Sequence, residues 1–372
     1  MKKIWVSLFV VVLIGLGVVI AKDGLLRFAR NDNAAEDNGK PVVKIGVVLP
    51  LTGDNAEVSN NVKDVLLSYL ENYSSDIEYK LIVEDDAFKV KNIAPIINKL
   101  NNFDKVDGII TIFAYVGMTT SPIAARDKIP HINIGSNPDL ADNKFNFLNY
   151  TPPYVAGEKM MELLAKNNYE NFAIVHMDHV GPAPYVKELK KQAEKAGMKY
   201  WDYSYNPTEK DFRMVLFDIK QNKPDVVVLM ALPPSVDIFR KQMLESGLDI
   251  PVTSINFIST SNYKEMFEGI VFVESPDGED DFVNKVRNEL HIDNMFLLAF
   301  SEDSLKIFIK VIEDFYKENG KIPSREQIAE QISKLKDFEG SAGTYSMGED
   351  GVTQSKAVFK KIVNGKPVVI EE

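Results

Sequence analysis

The chain contains no cysteine among its 372 residues. This absence excludes disulfides, thiolate metal sites and cysteine nucleophiles, and it also excludes a membrane tether through a lipid-modified N-terminal cysteine. Histidine is scarce as well, because only His131, His176, His179 and His291 are present, and none of them forms a pair at i, i+4 spacing. A zinc site is therefore not expected, and no other metal or cofactor is expected either.

Several motifs of catalysis and of nucleic-acid binding are also missing. The sequence has no Walker loop, no G-x-G-x-x-G after a strand and no G-x-S-x-G. No pair of carboxylates stands out for acid–base chemistry. The formal net charge of −11 argues against nucleic acid as a partner, since its recognition normally needs a basic patch. We therefore do not expect an enzyme.

The amino terminus carries an apolar segment at residues 4–21, directly behind Lys2 and Lys3. Val19 and Ala21 fit the small-residue preference of signal peptidase, which favours a signal peptide cleaved after Ala21. As a helix the segment would reach about 27 Å at about 1.5 Å per residue, which is nearly the thickness of a bilayer core and favours an uncleaved anchor. In both interpretations the rest of the chain lies outside the cytoplasmic membrane. Residues 22–41 are interpreted as a flexible spacer.

Strand and helix patterns then alternate in two successive sets. Apolar, β-branched runs predict strands, and apolar residues at helical spacing predict helices between them. The first set has strands at 44–49, 80–84, 107–113 and 129–134, with residues 117–121 interpreted as a loop entering a helix. The second set begins near Tyr150, with a helix at 154–167, a helix that ends at Ala196 before Gly197, a helix at 235–247, and strands at 172–176, 225–230, 251–257 and 270–273. Two such sets predict an α/β protein with two parallel-sheet lobes.

The remainder is predicted to be helical over 279–340, with a capping box formed by Ser324 and Gln327. Residues from Gly343 onward carry strand patterns interrupted by Gly348–Gly351 and by Asn364-Gly365, which predicts a hairpin.

At this point the chain resembles the type I periplasmic binding proteins, in particular the branched-chain amino-acid-binding family. No single motif is specific, but their order and spacing match over residues 42–370. The matching segments are IGVVLPLTG at 45–53, LIVEDD at 81–86, KVDGII at 105–110, Thr151-Pro152, PDVVV at 224–228, RKQMLESG at 240–247, GEDG at 348–351 and NGK at 364–366.

The resemblance implies two doubly wound parallel-sheet lobes joined by a three-crossing hinge, with a small-molecule ligand between them. By the family pattern, lobe 1 comprises residues 42–150 and 275–340, and lobe 2 comprises residues 151–274 and 341–372. The implied mechanism is hinge closure on the ligand. The implied function is that of a monomeric extracytoplasmic solute-binding protein that delivers its ligand to the permease of an ABC importer.

Ligands in doubly wound folds lie beyond the carboxyl ends of the strands, so the loops there supply the candidate residues. The segment after Phe113 enters a helix whose free N–H groups could hold an anion, although its hydroxyl residues could equally be simple helix caps.

His176 and His179 are interpreted as core or capping residues, with Asp178 as the one charged residue that could face the cleft. Asp85 and Asp86 are interpreted as ending a strand or capping a helix. The candidate ligand-binding residues are Tyr115, Val116, Gly117, Met118, Thr119, Ser136, Asn137, Tyr154, His179, Val180, Leu232 and Phe257.

The sequence departs from the amino-acid-binding relatives at the positions that the resemblance assigns to the ligand. Those proteins hold the α-ammonium group with two acidic side chains, where this chain has Pro153 or Tyr154 and Phe257. The family's serine-rich anion loop corresponds to residues 114–118, and its lobe-2 tyrosine corresponds to Val180. An ammonium group buried without a carboxylate would be poorly solvated. We therefore expect an apolar, aromatic cleft whose ligand is not a standard amino acid.

Three other functions are compatible with the same architecture. A ligand-sensing receptor module would act with a separate membrane signalling partner. A transcriptional regulator is disfavoured, because the apolar segment occupies the place of a helix-turn-helix. A hydrolase on this scaffold would show turnover of the captured compound.

Overall fold

A computed structural model describes residues 39–53 and 56–370 of the chain. The apolar segment 4–21 and the spacer up to residue 38 lie outside this description. Among the helices of the described ranges, none combines the length and the apolarity needed to cross a membrane.

The first half of the fold is built on a parallel sheet. In the described residues it has five strands in the order β2-β1-β3-β4-β5. The strands are β1 (Val42–Leu49), β2 (Glu78–Asp85), β3 (Gly108–Ile112), β4 (His131–Ile134) and β5 (Asn146–Leu148), and the helices between them are α1 (Ala56–Glu71), α2 (Val90–Lys99) and α3 (Ala114–Asp127).

The second half repeats this construction. Its parallel sheet has the order β7-β6-β8-β9 within the described part of the chain. The elements are α4 (Pro153–Lys166), β6 (Asn171–Met177), α5 (Ala183–Ala196), β7 (Lys199–Tyr205), α6 (Arg213–Asn222), β8 (Val226–Met230), α7 (Ser235–Glu245), β9 (Val252–Thr253) and β10 (Val271–Glu274).

The chain then adds helices to the first half and strands to the second. Strands β13 and β14 pair antiparallel with β10, and a bridge between Ile255 and Val273 joins them to the second sheet. The remaining elements are α8 (Asp280–Asn288), α9 (Leu298–Asn319), α10 (Arg325–Ser333), β11 (Phe338–Gly340), β12 (Gly343–Tyr345), β13 (Val358–Val363) and β14 (Lys366–Ile370).

Each sheet is covered on both faces because its strands send alternate side chains to opposite sides. On β1, Val43, Ile45 and Val47 pack with α1 and α9, whereas Val48 packs with α2 and α3. On β6, Phe172 and Ile174 pack with α4 and α5, whereas Ala173 and Val175 pack with α6 and α7. Strands buried on both faces are the reason that the sequence shows nearly continuous apolar runs.

The chain passes between the halves after β5, after β10 and between β12 and β13. The sequence predicted the third crossing near Ser341, but the packing places it later. Tyr345 and Met347 lie in the core of the first half, and Ala357 is the first later residue in the core of the second half. The reason is Asp303 of α9, which accepts hydrogen bonds from the backbone N–H of Ala342 (2.9 Å) and from the Tyr345 hydroxyl (2.9 Å).

Other sequence predictions can be compared with the elements. The Ser324–Gln327 capping box and the hairpin turn at Asn364-Gly365 are confirmed. Strand β7 and helix α6 were not predicted. Strand β7 is an edge strand, and three of its seven residues are exposed. The strand predicted over 251–257 is shorter and covers only Val252–Thr253, and Asn256 beyond it adopts a positive φ of 65°.

Candidate functional site

A cavity of about 50 Å³ lies at the carboxyl ends of strands from both sheets, where doubly wound folds bind ligands. Seven of its sixteen lining residues are phenylalanine or tyrosine, and we call it the aromatic cavity. The residues that line it are Phe88, Phe113, Ala114, Tyr115, Ile134, Gly135, Ser136, Tyr150, His179, Gly181, Tyr185, Leu232, Asn256, Phe257, Phe296 and Leu297.

A second, wider depression of about 290 Å³, which we call the outer groove, involves the same loops further out. It is lined by Met118, Asn137, Pro138, Asp139, Pro153, Tyr154, Val180, Ala183, Pro184, Lys187 and Glu188. Unlike the aromatic cavity, the outer groove includes charged side chains.

The twelve candidate residues divide between these two places and the interior. Tyr115, Ser136, His179, Leu232 and Phe257 line the aromatic cavity, and Met118, Asn137, Tyr154 and Val180 line the outer groove. Val116, Gly117 and Thr119 line neither of them. Helix α3 begins directly at Ala114, so the residues predicted as a loop over 117–121 already lie in its turns. Val116 consequently points into the core between α2 and α3.

Several residues of the aromatic cavity were not among the candidates. Phe88 and Tyr150 follow strands β2 and β5, and their position after a strand was the signal that could have identified them. Phe296 and Leu297 come from the segment before α9, far away in the sequence, and no local pattern indicates their place. Asp178, considered as a charge facing the cleft, is exposed and lines neither the cavity nor the groove.

The amino terminus of α3 forms one polar part of the cavity wall. Its N-cap residue is Phe113, which has a φ of 66° and supplies no side-chain cap. The N–H groups of the first turn have no partner within a helix, and together with the helix dipole they favour an anion. Gly135 lies against this turn, where a Cβ atom would come within 3.1 Å of the Ala114 nitrogen. The lack of a side chain at Gly135 keeps this part of the wall accessible.

His179 provides a second polar group. Its Nδ1 atom accepts a hydrogen bond from the Gly181 N–H at 3.2 Å. Burial lowers the pKa of His179, so the ring is neutral near pH 7 and carries its proton on Nε2 as a donor. His176 has a different environment, because its Nε2 atom lies 3.0 Å from Asp202 on the edge strand β7. This position agrees with the interpretation of His176 as a structural residue.

The two halves meet directly across the cavity. The Ser136 hydroxyl, in the loop after β4, donates a hydrogen bond of 2.7 Å to the carbonyl of Gly181, in the loop after β6. Both residues line the aromatic cavity. This hydrogen bond therefore joins a loop of the first sheet to a loop of the second sheet.

Two buried carboxylates lie behind tyrosines of the wall. Asp86 accepts a hydrogen bond of 2.9 Å from the Tyr115 hydroxyl and one of 2.7 Å from the Phe88 N–H. Burial raises the pKa of Asp86, and the bond from Tyr115 opposes that shift. Glu274 lies behind Tyr150 and is bound by Lys360 at 2.6 Å.

No Asp, Glu, Lys or Arg of the described residues lines the aromatic cavity. The described residues also contain no group of three or more His, Asp or Glu side chains that could hold a metal ion. An α-ammonium group bound in this cavity would lose its hydration without gaining a carboxylate partner. The arrangement can instead hold an apolar or aromatic body by ring contacts and a negative group at the start of α3.

Comparisons with known proteins agree with this geometry. A family model described as periplasmic binding protein matches residues 42–366. A search of curated proteins finds no match. Solved structures with the same fold include a leucine binding protein, LivK, from Thermotoga maritima, with a TM-score of 0.80 and 18% identity over 88% of this chain and 98% of that one.

Two further solved structures of this fold are solute binding proteins of ABC transporters from Rhodopseudomonas palustris. One is in complex with 3,4-dihydroxybenzoic acid, with a TM-score of 0.76 and 18% identity over 89% of this chain and 96% of that one. The other is in complex with benzoate, with a TM-score of 0.74 and 17% identity over 88% and 95% of the two chains. The family and the fold are those of substrate-binding proteins, which are not enzymes.

Proposed function

Since the chain belongs to the periplasmic binding proteins, we propose that it captures a small aromatic carboxylate outside the cytoplasmic membrane. The observation that carries this proposal is the composition of the aromatic cavity, which combines ring side chains, the uncapped start of α3 and the neutral His179 with no charged side chain. A carboxylate would accept hydrogen bonds from the first turn of α3. A ring would contact Phe88, Tyr115 and Phe257.

Capture would proceed by closure of two lobes around the cleft. We assign residues 42–150 with 275–347 to lobe 1 and residues 151–274 with 357–370 to lobe 2, following the cores in which they pack. The bond from Ser136 to Gly181 would form only when the lobes meet. Ligand contacts with both lobes would then favour the closed state.

We propose that the chain delivers its ligand to the permease of an ABC importer. Its N-terminal segment would bring the chain to the outer side of the membrane, either as a signal peptide or as an anchor. Support for this step comes from the family and from the transporter proteins that share the fold. Uptake of labelled benzoate by cells that lack this chain tests it. We expect uptake to fall, and unchanged uptake would contradict the delivery step.

Thermal unfolding of the full-length chain in mild detergent tests the ligand class, with benzoate, cyclohexanecarboxylate, benzamide and leucine as probes. A ligand at one hundred times its Kd stabilises the folded state by about 2.7 kcal/mol, which raises Tm by several degrees. We expect the largest rise with benzoate, a smaller one with cyclohexanecarboxylate, and little or none with benzamide, which lacks the negative charge. Strong stabilisation by leucine together with none by benzoate would contradict the proposal.

A further inference from the structure

A small cavity of about 10 Å³ lies beside Tyr150, which also lines the aromatic cavity. Tyr150, Phe296 and Leu297 line both spaces, so this small cavity adjoins the wall of the binding site. Glu274, Ser275 and Lys360 also line it. A space of this size accommodates about one water-sized polar group.

Three buried polar atoms around this space have no hydrogen-bond partner among the described residues. They are the Tyr150 hydroxyl, the Ser275 hydroxyl and the Oε1 atom of Glu274, whose residues are 3%, 5% and 1% exposed. The Ser275 hydroxyl is close enough to influence the pKa of Tyr150, but the two hydroxyls do not form a hydrogen bond of regular geometry. Buried polar atoms are rarely left without a hydrogen-bond partner. A group of such atoms beside a binding site indicates that a ligand group or a water molecule forms the missing hydrogen bonds.

The donor and acceptor roles of these atoms determine which ligand group they can bind. Burial raises the pKa of Tyr150 well above its usual value, so its hydroxyl keeps its proton and can donate. The Oε2 atom of Glu274 already accepts from Lys360 at 2.6 Å and from the Ser259 hydroxyl at 2.6 Å, which leaves Oε1 as an acceptor. A donor and an acceptor side by side match a hydroxyl group, which both accepts and donates.

We infer that Tyr150, Ser275 and Glu274 form a subsite for a hydroxyl group of the ligand, so that the preferred ligand is a hydroxylated aromatic carboxylate. This inference rests on the proposed function, because the carboxylate and the ring occupy the aromatic cavity. A site built to hydrogen-bond a hydroxyl discriminates strongly against the analogue without it, since the polar groups of the site are then left unpaired.

Binding of benzoate and of 2-, 3- and 4-hydroxybenzoate to the full-length chain tests the inference by titration calorimetry. We expect at least one hydroxybenzoate to bind tenfold or more tightly than benzoate. In Tyr150→Phe this advantage, taken as the ratio of the hydroxybenzoate and benzoate affinities of the same variant, should fall to about twofold or less. Ser275→Ala should reduce the advantage in part, and it serves as the second variant if Tyr150→Phe does not fold.

Two tyrosine variants serve as controls. Tyr115→Phe removes another hydroxyl from the same wall, but that hydroxyl is bound to Asp86, so benzoate and the hydroxybenzoates should be affected alike. Tyr200→Phe removes an exposed hydroxyl bound to Glu194, and the preference should be unchanged.

The possible failures are distinguishable. If no hydroxybenzoate binds more tightly than benzoate, water completes these polar atoms and the inference is wrong, while the proposed function stands. An advantage that persists in Tyr150→Phe also overturns the subsite. If neither benzoate nor any hydroxybenzoate binds, the proposed function itself fails, and the inference fails with it.

Discussion

Two tyrosines of the aromatic cavity, Tyr115 and Tyr150, each stand in front of a buried carboxylate, yet they differ in what their hydroxyl groups do. The hydroxyl of Tyr115 donates to Asp86 at 2.9 Å, whereas that of Tyr150 has no hydrogen-bond partner among the described residues. The same residue type therefore has a hydrogen-bonded hydroxyl at one position and an unpaired, buried hydroxyl at the other.

The difference follows from the charges behind the two residues. Asp86 forms no ion pair among the described residues, so the carboxylate relies on hydrogen bonds from Tyr115 and from backbone N–H groups. Glu274 instead has Lys360, which also contacts Asp277 at 2.5 Å. Lys360 supplies Glu274 with the counter-charge that Asp86 lacks. The Tyr150 hydroxyl is therefore not needed as a hydrogen-bond donor to Glu274. A binding site can thus obtain a free hydroxyl by providing the neighbouring carboxylate with another partner.

The largest effect is expected from removing that counter-charge by Lys360→Met. Lys360 is buried, and its loss leaves Glu274 and Asp277 uncompensated in the interior. Breaking a buried ion pair on one side typically costs about 3–5 kcal/mol, and we expect a loss of this size in the free energy of unfolding from urea titration. The neighbouring Lys361→Met, on the partly exposed side of β13, should change stability by less than about 0.5 kcal/mol.

The pH dependence of Lys360→Met gives an independent check. Burial raises the pKa of Glu274, and Lys360 opposes that shift, so the variant should have a still higher folded-state pKa. Between the unfolded and the folded pKa values the folded state binds the proton more tightly, and its stability rises as the pH falls. The deficit of the variant should therefore shrink from about pH 8 to about pH 5. A deficit that is constant with pH would indicate lost packing rather than an unpaired carboxylate.

A smaller loss is expected from Tyr115→Phe. The substitution keeps the ring but removes one donor from Asp86, and a buried charged acceptor that loses a partner costs about 1–3 kcal/mol. The folded-state pKa of Asp86, already raised by burial, should rise further, so this loss should also diminish at lower pH. Differential scanning calorimetry at two pH values measures both effects. An unchanged Tm would mean that hydrogen bonds from the Phe88 N–H and the other backbone donors are enough to stabilise the buried Asp86 carboxylate.

The sequence was enough to predict the architecture, whereas the place of the binding site stays a prediction. Buried strands such as β1 and β8 are nearly continuous apolar runs, and their order identified two parallel sheets. Edge strand β7 was missed because its polar residues, such as Asp202 and Ser204, resemble a loop. The third crossing was misplaced because Asp303, a contact distant in sequence, decides where residues 341–347 pack.

The chemistry of the site was less accessible from the sequence. Tyr115 and His179 were identified because they follow strands, but Val116 and Gly117 were included because the start of α3 was interpreted as a loop. The distinction between Tyr115 and Tyr150 depends on Asp86, Lys360 and their geometry. Such contacts join residues more than twenty positions apart, and no local pattern encodes them.

The smallest stability effect is expected from Tyr150→Phe in the absence of ligand. A buried hydroxyl without a partner contributes nothing favourable to folding, and replacing it by hydrogen avoids its desolvation. The variant should therefore be as stable as the parent chain or more stable by up to about 1 kcal/mol, in contrast to Tyr115→Phe. Urea titration of both variants under the same conditions measures the difference. A clear loss of stability in Tyr150→Phe would show that its hydroxyl is satisfied in the unliganded protein, and the contrast between the two tyrosines would then disappear.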